Sequence, residues 1–321
     1  MDPRLTAALV CPRDHDPLES SMHALRCARG HSYPVIDEIP IMLLDDVAQT
    51  LGVADDALRE AAHLEPEPAR ADTPIAGQVD AYVMEAIAAT GGFFYRPLIG
   101  SLREYPIPSL RIPQASPGKR FLDLGCNWGR WCIAAARLGY SAFGIDPSLD
   151  GIRAARRVAL QLNVDAHYVV GDARFLPFRD ASFELVHSYS VLQHFAKSDA
   201  KIALAEARRT LRAGGTAIIQ MPNRAGIRCL YHQLRRSFRE PQRFEVRYWT
   251  PKELRETGAS LIGPSKVSVD GFFSLNPQPN TQLPLRFRLI AESSEILRRG
   301  AEYFPPLLYV ADSLYLTAQK P

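Results

Sequence analysis

Three aspartates, Asp123, Asp146 and Asp172, carry the clearest chemistry in this sequence of 321 residues. Each ends a short apolar run or lies in its last turn: FLDL at 121–124, SAFGID at 141–146 and AHYVVGD at 166–172. Such runs read as strands buried on both faces. In a doubly wound sheet the strand carboxyl ends line one crevice, so three acids placed there face one ligand. After Asp123 come Gly125-Cys126-Asn127-Trp128-Gly129 and then a helix, with Trp131, Ala134, Ala135 and Leu138 on one face and a stop at Gly139. A glycine turn between a buried strand and a helix N-terminus lets a ligand lie close to the backbone. Asp146 falls about twenty residues beyond that turn, where a carboxylate accepts the two hydroxyls of a ribose. A dinucleotide fingerprint needs glycines where Asn127 and Arg130 stand, so the spacing suits a ligand without a pyrophosphate.

The elements that must hold these acids follow from the pattern. After the glycine turn, strands and helices alternate. A helix carries Leu149, Ile152, Ala155, Ala159 and Leu162, FELVHS is a strand, and a helix from about Ser198 to Leu211 precedes the strand TAIIQM. Thr250-Pro251-Lys252-Glu253 is a capping box with proline at the first helical position, and KVSVDGFF and SLYLTAQK close the chain as strands. This predicts an α/β fold with a doubly wound, mostly parallel, seven-stranded Rossmann-like sheet over residues 78–321. A helix from about Gln78 to Ala89 is expected to cap the crevice, where Tyr82, Tyr95 and Arg96 could touch ligand or simply pack. Insertions are expected at 224–249 and 274–306. Residues 47–77 read as a short helix and a linker, proline-rich from Leu64 to Pro74.

The block GDARFLPFRDASFELVHSYSVLQHF, together with the glycine turn and LRAGGTAIIQMPN, resembles successive motifs of the class I S-adenosylmethionine-dependent methyltransferases often grouped as type 11. The resemblance covers roughly residues 118–223 and implies S-adenosylmethionine as cofactor. Carried over by position, Asp123, Gly125, Cys126, Asn127 and Gly129 surround the methionine moiety. Asp146 takes the ribose, Asp172 and Ala173 the adenine, and Ser188 lies beside the sulfonium. The departure is Asn127 in place of the usual second glycine. Methyl transfer is an in-line displacement in which positioning supplies much of the rate. An oxygen acceptor of high pKa still needs a base, and His194, after the fourth strand, is the candidate, with a structural turn residue as the alternative. His187 alternates into its strand as a buried, hydrogen-bonded residue, and His232 is a weaker candidate base.

Residues 1–46 form a second, β-rich unit. Cys11 and Cys27 sit where a zinc ribbon places the first cysteine of each of two knuckles, but Asp14 and Gly30 replace the second cysteines. A closed metal site needs four ligands, and Cys11, Asp14 or His15, Cys27 and His31 would have to supply them. No metal is assigned on this pattern; the reading taken is a ribbon held by Leu9, Val10, Leu25, Val35, Ile36, Ile39 and Ile41. The run YPVIDEIPIML at 33–43 resembles the zinc-ribbon-like activators of tRNA and protein methyltransferases, a family in which this domain supports a methyltransferase.

Composition sets the remaining expectations. A net charge of +3 does not by itself imply a polyanion partner. Residues 1–12 lack the pattern of a signal peptide, and no apolar run approaches the ~20 residues needed to span a bilayer, so no membrane partner is expected. Five scattered cysteines make no disulfide framework and point to a reducing, cytoplasmic setting. Between 224 and 247, seven arginines face only Glu240 and Glu245. That segment reads either as recognition of phosphate, carboxylate or RNA, or as a solvated face. The expected function is O-methylation of a small molecule, an acidic one if the arginine segment recognises it. An RNA methyltransferase and a non-catalytic, cofactor-binding regulator of a partner methyltransferase are the alternatives.

Overall fold

The computed structural model describes residues 1–21, 23–62, 78–91, 94–116, 118–273, 278 and 280–321. The linker expected from Leu64 to Pro74, and Pro277 and Pro279 of the second insertion, lie outside them.

Seven strands form the main sheet: β5 (Arg120–Leu124), β6 (Ser141–Asp146), β7 (Ala166–Val170), β8 (Phe183–Ser188), β9 (Leu211–Pro222), β10 (Ser265–Gly271) and β11 (Ser313–Gln319). Their order is β10-β11-β9-β8-β5-β6-β7. All pairings among β5 to β9 are parallel, and β11 runs antiparallel between β9 and β10. The expected doubly wound, mostly parallel sheet is therefore present. β9 starts five residues before the expected TAIIQM, and its register with β8 shifts between the Phe183 and Leu185 pairings.

Helices cover both faces. The helices α4 (Arg130–Arg137) and α5 (Leu149–Gln161) pack on one face through Cys132, Ala135, Ile152, Ala155 and Ala159. On the other, α6 (Lys197–Thr210) and α8 (Pro251–Leu261) bury Ala200, Ala203, Leu204 and Leu254. Register places Asp123, His187, Ile218, Thr317 and Lys266 in one row on the α4 face. The expected capping box of α8 is present, with the Thr250 side chain accepting from the Glu253 N–H. The cap helix α3 (Ala81–Thr90) and α9 (Leu285–Gly300) meet Trp128 and Ile133 in a cluster built from Val83, Ile87, Phe94 and Phe287.

The N-terminal unit begins with α1 (Pro3–Ala8) and forms a four-stranded antiparallel sheet: β1 (Leu18–Ser20), β2 (Ala24–Cys27), β3 (Ser32–Ile36) and β4 (Ile39–Pro40). Beyond it, α2 (Gly52–Ala62) packs three alanines, Ala54, Ala57 and Ala61, into the core. The unit docks on the outer strand of the main sheet. Ile41 pairs with Val170 in parallel, Met42 N–H donates to Val170 O at 2.7 Å, and Val10 N–H donates to Pro177 O at 2.9 Å. A sheet edge otherwise offers a row of unpaired backbone groups, and this segment satisfies part of that row. Arg153 of α5 adds contacts to Asp37 at 2.9 Å and to Glu60 at 2.7 Å.

Candidate functional site

The crevice is built on a turn that only part of the sequence alphabet can make. Gly125, Asn127 and Gly129 have φ of +75°, +44° and +80°. A Cβ on Gly125 would stand 2.2 Å from Val191 Cγ2, and one on Gly129 would stand 2.6 Å from the Tyr168 hydroxyl. Both positions therefore require glycine for conformation and for space. The Gly125 and Cys126 N–H groups both donate to Ile145 O, at 2.7 and 3.0 Å, which locks the turn to the end of β6. Asn127 tolerates its left-handed backbone because its side-chain oxygen accepts the Trp128 N–H at 2.9 Å. The Trp128 indole then donates to Thr90 Oγ1 at 2.8 Å, tying the turn to the end of the cap helix.

Asp146 ends β6 beside this turn. One carboxylate oxygen accepts the Asn127 N–H and the other the Ser148 N–H, each at 2.9 Å. Each oxygen keeps a lone pair, and the residue is 8% exposed. Burial raises its pKa to about 6, opposed by the two backbone bonds. A partly satisfied carboxylate at a glycine turn fits the two hydroxyls of a ribose, so the residues present suit S-adenosylmethionine.

The other expected residues take different positions. Asp123 is fully buried beneath the turn and accepts from His187 Nδ1 at 2.9 Å, leaving its second oxygen unpartnered. His187 is thus the buried, hydrogen-bonded residue expected. Cys126 turns its thiol toward the core, in contact range of a Cβ placed on Gly144, so only its backbone faces the crevice. Ser188 is the last residue of β8, and its hydroxyl donates to Leu124 O at 3.2 Å inside the sheet. Val191, three residues on, is the side chain that covers Gly125. Asp172 is held by the Arg174 guanidinium at 2.6 to 3.2 Å and by the Arg174 N–H at 2.8 Å. Ala173 packs in the core beside it.

His194 lies in a 3-10 turn, Leu192–His194. Its Nδ1–H donates to Phe244 O at 2.7 Å, its Nε2 accepts from the Gln193 amide at 3.1 Å, and its ring stacks on Phe244 at 3.6 Å. Burial lowers its pKa to about 4. These contacts pin the 241–248 segment to the crevice rim. That segment engages three of the seven arginines at 224–247. Arg239 pairs with Glu245, Arg236 donates to Val246 O at 3.1 Å, and Arg247 donates to His194 O at 2.7 Å.

Sequence reasoning missed Arg174, Val191 and Arg130. The pattern Asp172-x-Arg174 was visible in the chain. The others depend on which way a loop and a helix face.

In the N-terminal unit, Cys11, Asp14, Cys27 and His31 place one ligand atom each within 4.8 Å of all the others. His31 Nδ1 lies 3.4 Å from both thiols and 3.0 Å from Asp14 Oδ2, and Cys27 Sγ lies 3.7 Å from Asp14 Oδ2. Zinc bonds of about 2.0–2.3 Å at tetrahedral angles give ligand separations of roughly 3.3–3.8 Å. The donor set fits such a site, with Asp14 rather than His15 in the fourth place; His15 points to Glu206 at 4.0 Å.

Residues 121–215 match the family profile described as "Methyltransferase domain". An uncharacterised 37.1 kDa protein in transposon TN4556 of Streptomyces fradiae is 34% identical over 179 residues, 54% of this chain and 48% of that one. The ubiquinone biosynthesis O-methyltransferase of Brucella ovis is 31% identical over 112 residues, 35% of this chain and 44% of that one. The chain spans about half the length of the curated relatives it matches. Magnesium protoporphyrin IX methyltransferase of Synechocystis, solved with bound S-adenosylhomocysteine, is similar with a TM-score of 0.45 and 12% identity over 76% of this chain and 85% of that one. The profile match falls on the strands and the turn that build the crevice, and residues 121–215 carry a methyltransferase domain.

Proposed function

We propose that this protein transfers the methyl group of S-adenosylmethionine to an oxygen of a small molecule. The observation that carries the cofactor assignment is Asp146, buried at the glycine turn with one free lone pair on each oxygen. The similarity to ubiquinone biosynthesis O-methyltransferases supports an oxygen acceptor. The sulfonium supplies an activated methyl group. The chain supplies position: Asp146 holds the ribose, the Gly125–Gly129 backbone lies along the methionine moiety, and the Asp172–Arg174 pair borders the adenine. Val191 and the cap limit water at the transfer point. No side chain is assigned as base. Near-attack geometry accounts for much of the rate, and an acceptor hydroxyl of phenolic acidity ionises without a strong base.

RNA is not favoured, because Arg236, Arg239 and Arg247 among the arginines that suggested it are already bonded to the segment or its rim. The buried, unpaired cysteines suit a reducing, cytoplasmic setting, and no helix among the described residues is long and apolar enough to cross a membrane. We further propose that residues 1–46 act in cis as a module that supports residues 78–321. A structural zinc on Cys11, Asp14, Cys27 and His31 would hold this module together. The test of function is methyl transfer from labelled S-adenosylmethionine to fractionated metabolites and to total RNA. Label in a small-molecule fraction is expected; label in RNA alone would overturn the reading.

A further inference from the structure

Arg130 opens α4 immediately after the glycine turn and is 8% exposed. Its guanidinium lies over the rings of Trp131 and Tyr189, at 5.8 and 5.9 Å. Among the described residues it has no ion pair and no hydrogen-bond acceptor. The nearby carboxylate of Asp123 acts on it only through space. Arg174 is equally buried, and there Asp172 supplies a full carboxylate at 2.6 to 3.2 Å. A guanidinium taken out of water without an anion is costly, because the lost hydration is not replaced. The nearby acids are engaged elsewhere: Asp123 by His187, and Asp270 by the Tyr189 and Ser313 hydroxyls at 2.6 and 2.7 Å. A second unpartnered donor, the Trp131 indole N–H, is buried in the adjacent residue.

The location gives this guanidinium a meaning. Tyr189 directly follows β8, so Arg130 stands beside the turn on the side of β8 and β11, away from Asp146 and Asp172. Tyr189 packs against Tyr315 at 6.0 Å. Tyr315 also lines a groove of about 400 Å³ on the same face of the sheet, bounded by Arg111, Ile112, Ile218, Thr317 and Leu308. The sequence pointed to the arginines at 224–247 as a receptor for an acid; among the described residues, the arginine that is both deeply buried and without an anion is Arg130.

We infer that Arg130 is the receptor for a carboxylate on the methyl acceptor, held against Trp131 and Tyr189 at the acceptor side of the crevice. This rests on the methyltransferase reading. The same chemistry could be met by the carboxylate of the cofactor itself, and the test separates the two sources. Calorimetry would compare benzoate with its neutral isostere benzamide, on the full-length protein both free and saturated with S-adenosylhomocysteine. Wild type, Arg130→Lys and Arg130→Met would be used. Loaded wild type should prefer benzoate by at least tenfold. Arg130→Lys should keep part of that preference and Arg130→Met none, while S-adenosylhomocysteine affinity moves less than twofold in each. Arg130→Met removes an unpaired buried charge, so it should melt at or above the wild-type temperature, which separates lost recognition from lost folding. Equal binding of benzoate and benzamide by wild type, or a preference that survives Arg130→Met, would overturn the inference. So would a variant that loses S-adenosylhomocysteine but not 5′-methylthioadenosine, since the anion would then be the cofactor's own. Wild type that discriminates benzoate through Arg130 yet binds no S-adenosylhomocysteine would retain the anion site and remove the methyltransferase reading instead.

Discussion

The glycine turn and the arginine segment present opposite uses of polar groups. Around 125–146 few charges are present, and those few are left incomplete: Asp146 keeps a lone pair on each oxygen, and Arg130 keeps its whole guanidinium. Between 224 and 247 charge is abundant, yet Arg236, Arg239 and Arg247 are bonded within the segment or to the rim beside it. A count of charges therefore says little about recognition. What matters is which polar groups are buried and still unsatisfied, because burial makes each missing partner costly and its arrival from a ligand correspondingly favourable.

The largest effect in this comparison should come from the turn. Gly125→Ala forces a side chain into left-handed backbone and against Val191. Strain of ~1–2 kcal/mol plus overpacking of ~1–3 kcal/mol should lower the unfolding free energy by ~2–5 kcal/mol in denaturant titration. Adding Val191→Ala should recover the packing share and leave the backbone share. A double variant as weak as the single one would mean that Val191 does not cover the turn.

Next in size is pH. Asp146 has a folded pKa of about 6, above the ordinary carboxylate value, because burial disfavours its charge. The folded chain then holds a proton that the unfolded chain releases between about pH 4 and 6, so this group's contribution to stability falls as pH rises through that window. Cofactor affinity should move the opposite way, since the ribose hydroxyls need the carboxylate. It should weaken up to tenfold per unit below pH 6 and be flat above it. A flat profile between pH 5 and 8 in the wild type would break the link between Asp146 and the ribose.

A metal would sharpen the contrast at the N-terminal unit, where four ligand atoms already sit at bonding separations. Purified protein should carry about one zinc per chain, and chelation should loosen residues 1–46 first in hydrogen exchange. Metal-free protein with that unit fully protected would favour apolar packing alone. The smallest effect belongs to the arginine segment. Neutralising Arg235, Arg236 and Arg239 together should leave the acceptor KM within about twofold of wild type at low salt, where surface charge acts most strongly. A tenfold rise would restore that segment as a recognition surface.

Much of this was legible in the chain. Apolar runs ending in aspartate marked β5, β6 and β7 because buried parallel strands tolerate polarity only at their ends, and the alternation of elements gave the sheet. What escaped was non-local. Pairing of Ile41 with Val170 joins residues far apart in sequence, and nothing local specifies it. The helix after the glycine turn read as apolar on one face, whereas α4 is buried throughout Arg130–Ala135. At the Cys11, Asp14, Cys27 and His31 cluster, the choice between Asp14 and His15 turned on side-chain direction alone.

The central claim, that Asp146 and the glycine turn form the cofactor crevice, meets its most direct test in calorimetry of S-adenosylhomocysteine with wild type and Asp146→Ala at pH 7.5. The wild type should bind, and the variant, checked for an unchanged fold by circular dichroism, should bind more weakly by ~1.5–3 kcal/mol for each charge-assisted hydroxyl bond lost. Equal affinity in the two proteins would contradict the account.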